Sequence, residues 1–178
     1  MNTITAAKES ERKVRNYGLL IFSIFVIAYF FVYFQRISIS VVGLDIEASV
    51  GGSAAILSAV YYWTYTAMQI PSGLLADRFG PRKSGFVFLM LASVGSFVTS
   101  FGNSFGLMVA GKIMIAAGMA IIYIPLMKLV SVWFKKTDFA VLNGITIAVG
   151  NFGAIVAGGP LRMLADAIGW RDVFLVLG

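Results

Sequence analysis

Arg36 is the residue of this sequence with the clearest capacity for binding chemistry. It lies in Tyr33-Phe-Gln-Arg-Ile-Ser-Ile-Ser40, inside a long apolar run with no acidic residue nearby in the sequence. An ionised side chain near the middle of a membrane costs about 2.5–3.5 kcal/mol, so such charges usually mark function. We expect the guanidinium fork to face a water-filled cavity and bind a carboxylate or phosphate. The alternatives are that Arg36 reaches the outer headgroups, or that it pairs with a distant acid.

Two lysines share this apolar setting. Lys112 lies about two turns into an apolar segment, and it could be a second cation for the same anion or could extend to the outer interface. Lys128 follows Pro125 near the inner end of that segment, and we expect its ammonium group to reach the inner headgroups.

An aromatic cluster is predicted to lie beside Arg36. Tyr61, Tyr65 and Gln69 follow the i, i+4 repeat and therefore share one helix face, with Tyr62 adjacent. We expect them to line the cavity and, with Arg36 and Lys112, to bind the substrate. The alternative is an aromatic belt at the membrane surface.

Composition indicates a membrane protein. Of the 178 residues, 59% are hydrophobic and the mean hydropathy is +0.88, whereas soluble proteins have about 45–50% apolar residues. The net charge of +6 comes from bases clustered in particular loops, which favours orientation in a bilayer over nucleic-acid binding. Cysteine and histidine are absent, which excludes disulfides and removes the commonest metal ligand. We expect no metal, no cofactor and no enzymatic activity, since there is no nucleophile–base pairing and no phosphate-binding glycine loop.

Long uncharged runs predict the elements that position these side chains. The stretch Asn16–Gln35 alone is long enough to cross about 30 Å of hydrocarbon. We predict a polar tail at residues 1–15 and a transmembrane domain at 16–178, with loops at 43–52, 133–138 and 162–172. The predicted spans are residues 17–42, 53–75, 84–100, 105–128 and 139–161, with the start of a sixth at 173–178. The glycines of the fifth span are expected to be close-packing positions, namely Gly144, Gly150, Gly153, Gly158 and Gly159.

The distribution of bases predicts the orientation. Of the 14 lysines and arginines, four lie in the N-terminal tail, three in the loop after the second helix and two in the loop after the fourth. The outer loops carry only Arg162 and Arg171. The positive-inside rule therefore predicts a multi-pass integral membrane protein with a cytoplasmic N-terminus. In a bacterium, its location would be the plasma (inner) membrane.

A short charged turn separates the second and third predicted helices. It reads Gly73-Leu-Leu-Ala-Asp-Arg-Phe-Gly-Pro-Arg-Lys83, and its Gly80-Pro81 pair should break the helical hydrogen-bond ladder. Arg78, Arg82 and Lys83 would suit any inner loop. The spacing G-x-x-x-D-R-x-G-x-R-K, however, resembles the loop between helices two and three of major facilitator superfamily transporters.

Other segments extend the resemblance over nearly the whole chain. Gly111–Gly118 is similar to the fourth-helix signature of the superfamily, with Lys112 in place of its arginine and Ala116 in place of its first glycine. Gly169-Trp-Arg-Asp-Val-Phe174 resembles the start of helix six. Two further segments, Tyr33-Phe-x-Arg-x-Ser38 and Tyr61-Tyr-Trp-x-Tyr-x-x-Met-Gln-x-Pro71, resemble the organic-anion and sugar-phosphate branches. In organophosphate antiporters a base at a place similar to that of Lys128 faces the cavity, which is the alternative to its reaching the inner headgroups.

The resemblance implies an all-α integral membrane fold, the N-terminal six-helix bundle of the superfamily with its sixth helix truncated. It also implies secondary active transport of a small anionic organic metabolite, by symport or antiport, through alternating access between two six-helix halves. Asp77 would stabilise the closed inner gate by facing a helix N-terminus in the other half. The gating loop would comprise Gly73, Asp77, Arg78, Gly80, Arg82 and Lys83.

The expected partners are the lipid bilayer, the anionic substrate and a second six-helix half, with no nucleic acid. We expect a fragment of a longer gene product, since the last residues stop inside an apolar run, although association with another chain is the alternative. Asp77 is the only acid at membrane depth, so proton coupling through this half is not expected. A transporter-like membrane sensor and a non-transporting structural fragment are the other two functional readings.

Overall fold

The computed structural model describes residues 2–178, with side chains described from residue 16 onward. The charges of the predicted cytoplasmic tail therefore lie outside the described side chains. The chain folds into helices throughout its described length. They are α1 (Asn2–Val50), α2 (Ala54–Phe79), α3 (Pro81–Ser100), α4 (Phe105–Ala120), α5 (Tyr123–Trp133), α6 (Lys136–Ile168) and α7 (Trp170–Val176).

Helices α4 and α5 together form one membrane-crossing segment, Phe105–Trp133, which the sequence predicted as a single helix at residues 105–128. They are separated at Ile121–Ile122. Pro125 explains the break, because a proline ring clashes with the carbonyl four residues earlier, here that of Ile121, and has no amide hydrogen to donate.

Four helical segments are long and apolar enough to cross a membrane, so the chain is a multi-pass membrane protein. Among the described residues these are Asn16–Val50, Pro81–Ser100, Phe105–Trp133 and Lys136–Ile168. Helix α2 falls short of that degree of apolarity because tyrosines, Gln69 and small polar residues interrupt it. Such a mixed composition is expected of a helix that lies beside a polar site and not only against lipid.

The prediction of a loop from residue 43 is wrong. Helix α1 continues to Val50 and ends only where Gly51 and Gly52 adopt positive φ, of 78° and 81°. Gly43 stays helical and packs closely on Ala54. The Glu47 side chain then accepts a hydrogen bond of 2.6 Å from the Ala54 amide at the start of α2.

The prediction of a loop at 162–172 is also wrong over most of its length. Helix α6 continues to Ile168, and Gly169, with φ of 87°, ends it before α7 begins at Trp170. Arg162 lies in this extended part of α6, where it pairs with Asp166 one helical turn on and with Asp45 of α1 at 2.5 Å. All three side chains are substantially exposed, so these pairs contribute little to stability.

The bundle is held by two main helix pairings. Helix α1 packs along α6, α3 packs along α4, and α2 lies against α4 and α1. Two buried apolar clusters result, one around Phe25, Ile115 and Leu126 and the other around Ile39, Leu57 and Phe174. Arg36 lies at the level where α1 passes from the first cluster to the second.

Candidate functional site

The Arg36 guanidinium lies among three tyrosine rings. Its central carbon is 4.9 Å from the ring centroid of Tyr33, 4.8 Å from Tyr65 and 5.8 Å from Tyr62. Cation–π attraction of this kind is worth about 0.5–2 kcal/mol, more where water is excluded. The rings therefore hold the cation in place without neutralising it.

Arg36 has no carboxylate partner among the described side chains. Their ion pairs are Lys128–Asp77, Arg162–Asp45 and Arg162–Asp166, and Arg36 belongs to none of them. Its Nε atom is buried and makes no hydrogen bond. Leaving a donor of a charged group unsatisfied is costly, so Arg36 keeps hydrogen-bonding capacity that no described residue uses.

Tyr61 is the most deeply buried tyrosine of the aromatic cluster. Its side chain is 2% exposed, and its hydroxyl donates a hydrogen bond of 3.3 Å to the Val32 carbonyl of α1. The ring stacks on Tyr65 at a centroid distance of 6.2 Å, as the i, i+4 spacing predicted. The structure thus brings Tyr61 and Tyr65 beside Arg36, with Tyr61 supporting the cluster from behind.

Gln69 lies one further turn along α2. It is half-buried, and no hydrogen bond between described residues joins its side chain to Arg36. Its position one turn beyond Tyr65 follows the predicted i, i+4 repeat.

Lys112 does not join the Arg36 cluster. It is 0% exposed, its Nζ lies 3.5 Å from the Ser38 hydroxyl and 4.7 Å from the Phe174 ring centroid, and neither predicted role fits that position. Arg36 and Ser38 are two residues apart on α1, so their side chains point about 200° apart. Lys112 therefore packs against the face of α1 opposite to the candidate site, and it does not extend to the outer interface.

A buried polar group on that opposite face was not singled out from the sequence. The Gln35 side-chain amide nitrogen donates to the Ser96 hydroxyl at 3.1 Å, while the Ser38 hydroxyl donates to the backbone carbonyl of Gln35 at 2.9 Å. The signal was the i, i+3 spacing of Gln35 and Ser38 within an apolar run. These contacts join α1 to α3 and, through Lys112, to α4.

The charged turn between α2 and α3 consists of a single residue. Gly80, with φ of 80°, ends α2, and Pro81 begins α3, so the predicted break of the helical ladder is confirmed. Positive φ is a region that glycine enters without steric cost, and proline suits the first position of a helix. Gly73 has open space around its Cα rather than a neighbouring helix of this chain.

Asp77 forms an ion pair with Lys128 of α5. The sequence did not predict this pair, and the reach of Lys128 toward the inner headgroups stays a prediction. Both side chains are substantially exposed, so the pair contributes little to stability. Arg82 instead stacks on aromatic rings, 4.8 Å from the centroid of Tyr17 and 5.6 Å from that of Trp133.

The described residues contain no group of three or more histidine, cysteine or acidic side chains that could hold a metal ion. What they contain is a membrane-crossing helical bundle with one unneutralised cation among tyrosines. These features define a polytopic membrane protein with a half-buried arginine among tyrosines. The family model described as Major Facilitator Superfamily matches residues 21–178, and the chain belongs to this superfamily.

Curated relatives in several bacteria are named as transporters. The probable sulfoacetate transporter SauU of Cupriavidus necator is 27% identical over 162 residues, covering 89% of this chain and 38% of that protein. The probable galactarate/D-glucarate transporter GudP of Escherichia coli is 26% identical over 189 residues, covering 100% of this chain and 42% of that protein. The nitrite extrusion protein of Bacillus subtilis is 30% identical over 142 residues, covering 78% of this chain and 35% of that protein.

The chain thus spans about two fifths of the length of these relatives. Membership of the superfamily, expected from the loop Gly73–Lys83, is confirmed. The all-α membrane fold is confirmed as well, and the chain covers roughly half of it.

Proposed function

We propose that this chain is one half of a secondary active transporter that moves a small organic anion across the membrane by alternating access. The observation that carries the proposal is the Arg36 guanidinium, enclosed by three tyrosines, with a buried Nε that lacks an acceptor and with no carboxylate partner among the described side chains. An anionic substrate would accept hydrogen bonds from the other guanidinium nitrogens, since Arg36 is only half-buried although its Nε atom is covered.

The names of the relatives support an anionic substrate. Sulfoacetate, galactarate and D-glucarate all carry acidic groups, and nitrite is itself an anion. Tyr65 and Tyr62 would orient such a ligand beside the guanidinium, and Gln69 would contact a longer one further along α2. Lys112 has no part in this binding site, because it lies on the other side of α1.

The second six-helix half would complete the transport path. In the proposed cycle, Asp77 faces a helix N-terminus of that half when the inner side closes, where the helix dipole favours an acid. The open space at Gly73 would admit the approaching helix. Lys128 would then compete with the other half for Asp77 during the cycle. The basic loops would lie in the cytoplasm and the protein in the inner membrane of a bacterium.

Substitution of Arg36 tests the binding site directly. Arg36→Ala and Arg36→Lys should both weaken binding of galactarate or sulfoacetate by about 10- to 100-fold, since hydrogen bonds to charged groups are worth about 1.5–3 kcal/mol. Lysine keeps the charge but cannot reproduce the planar fork. Titration calorimetry on the purified protein in detergent measures the effect.

Arg171→Lys is a matched control. Arg171 also stacks on an aromatic ring, 4.3 Å from the centroid of Trp170, but it lies at the start of α7 and donates to the Gly102 carbonyl, so its substitution should leave the affinity unchanged. Unchanged affinity in both Arg36 variants would refute the site. Binding without uptake into proteoliposomes would instead identify a membrane sensor built on the same scaffold.

A further inference from the structure

An apolar cavity opens beside the charged turn, away from Arg36. It has a volume of about 490 Å³ and lies between the adjoining ends of α2, α3 and α5. Its apolar walls are Phe79, Leu129, Val132 and Trp133. Phe79 and Val132 are 53% and 69% exposed, so this cavity lies on the surface of the bundle and not in its core.

Three basic side chains line the same cavity, namely Arg82, Lys83 and Lys128. Arg82 and Lys83 are exposed, and neither forms an ion pair with a described acid. Lys128 pairs with Asp77, which leaves the group with three cations against one carboxylate. An apolar cavity with excess positive charge fits a ligand that is apolar at one end and anionic at the other.

A second groove meets the first at Arg82. It has a volume of about 320 Å³, and α1 and α3 line it with Tyr17, Leu20, Ile24 and Phe86. The Arg82 guanidinium stacks on Tyr17 from the second groove and on Trp133 from the first. These two rings also stack on each other, at a centroid distance of 5.7 Å. One cation is thus held where two apolar grooves converge.

The depth of the site in the membrane follows from its composition. Tyrosine and tryptophan concentrate at the level of lipid headgroups, and basic loops face the cytoplasm. Clustered bases at that surface attract anionic lipids. A protein helix covering both grooves would bury the excess cations beneath apolar side chains, whereas a lipid phosphate would neutralise them at the water boundary.

We propose that this surface binds one anionic phospholipid of the cytoplasmic leaflet. Its phosphate is held by Arg82, Lys83 and Lys128, and its two acyl chains lie in the two grooves. The site is separate from the Arg36 cluster, but it shares Arg82 and Lys83 with the proposed gating loop.

Bromine on a lipid chain quenches tryptophan fluorescence on contact, which gives a direct test because Trp133 lines the first groove. The full chain with Trp63→Phe and Trp170→Phe retains Trp133 alone and is reconstituted in nanodiscs of phosphatidylcholine and phosphatidylglycerol. At equal mole fraction, brominated phosphatidylglycerol should quench Trp133 more than brominated phosphatidylcholine. Arg82→Gln and Lys83→Gln should each reduce this preference about fivefold, the effect of one surface base.

Arg78→Gln is the matched control, because Arg78 belongs to the same turn but does not line the cavity. It should leave the preference unchanged. Val132→Phe keeps every charge but fills the first groove, and it should also reduce quenching. Equal quenching by the two lipids, or an equal loss in the Arg78 variant, would overturn the proposal.

Native mass spectrometry of the chain with all its tryptophans provides an independent measurement. It should show one retained phosphatidylglycerol, which is lost in the Arg82→Gln, Lys83→Gln double variant. Absence of retained lipid, with Trp133 shielded from both brominated lipids, would mean that protein covers the grooves and would likewise overturn the proposal.

Discussion

Arg36 and Lys112 are both cations within the bundle, yet their surroundings differ completely. Arg36 is half-buried among tyrosines and keeps a free donor, whereas Lys112 is fully buried against Ser38 and Phe174. A charge in hydrocarbon costs about 2.5–3.5 kcal/mol even on insertion scales. One long hydrogen bond and one cation–π contact do little to offset that cost for Lys112. Arg36 is therefore placed to bind a ligand, whereas Lys112 joins helices.

Lys112→Met should leave anion affinity unchanged and should maintain or raise the stability of the fold. Methionine has a similar length and removes an unpaired charge from the apolar interior, where a charge costs about 2.5–3.5 kcal/mol even on insertion scales. Thermal unfolding in detergent followed by circular dichroism measures stability, and calorimetry measures anion binding. A loss of affinity beyond tenfold would show that Lys112 contributes to the anion site after all.

At the scale of elements, small residues decide how closely two helices approach. A Cβ added at Gly95 of α3 would lie 2.8 Å from the Ile115 amide nitrogen and 2.9 Å from the Gly111 carbonyl oxygen, both backbone atoms of α4. In α6, Gly153 packs on the α1 backbone at Phe30, whereas Gly150 packs on the rings of Tyr29 and Tyr33. The other three predicted packing glycines of α6, namely Gly144, Gly158 and Gly159, have open space around them.

Gly95→Ala and Gly144→Ala should therefore have opposite effects. The first forces α3 away from α4 and should destabilise the protein by about 1–3 kcal/mol, as other overpacking changes do. The second adds a methyl group in open space and should keep or raise stability, since alanine is favoured over glycine within helices by about 0.5–1 kcal/mol. Thermal melting curves of the two variants and the unmodified protein, recorded in the same detergent, measure both changes in stability. Equal melting temperatures would contradict the close pairing of α3 and α4.

At the scale of the whole molecule, the two ends of the helical bundle differ in charge, because the turns at one end carry many more lysines and arginines than those at the other. The turn at Gly80 and the break before α6 carry Arg78, Arg82, Lys83, Lys135 and Lys136. The opposite end carries Arg162 and Arg171, of which Arg162 is paired with two acids. This asymmetry predicts that the basic end faces the cytoplasm.

Cysteine labelling can test that orientation, because the chain has no native cysteine. Asn103→Cys lies in the exposed turn between α3 and α4, and Thr137→Cys lies in the exposed first turn of α6. A membrane-impermeant maleimide added to intact cells should label the first variant alone, and the second only after permeabilisation. The reverse pattern would invert the topology and would also move the proposed lipid site to the outer leaflet.

Much of the fold was predictable because local chemistry determines it. The Gly80-Pro81 break, the shared face of Tyr61 and Tyr65 and the apolar spans depend on residues close in sequence, through helix geometry and proline stereochemistry. Helix ends were less predictable. Acidic residues near Gly43 suggested a loop, but in the folded chain Asp45 and Glu47 find partners on α6 and α2 and remain helical.

The sequence by itself determined the membrane class, the superfamily and the presence of a cation suited to an anion. Only the tertiary structure decided which cation remains available. Lys112 meets Ser38 across 74 residues and Lys128 meets Asp77 across 51, contacts that depend on how whole helices pack. Helix periodicity fixes the face on which a side chain lies, but the neighbour on that face is set by packing between helices. Arg36 stays unneutralised because α2 brings tyrosines to its face of α1 and no acid.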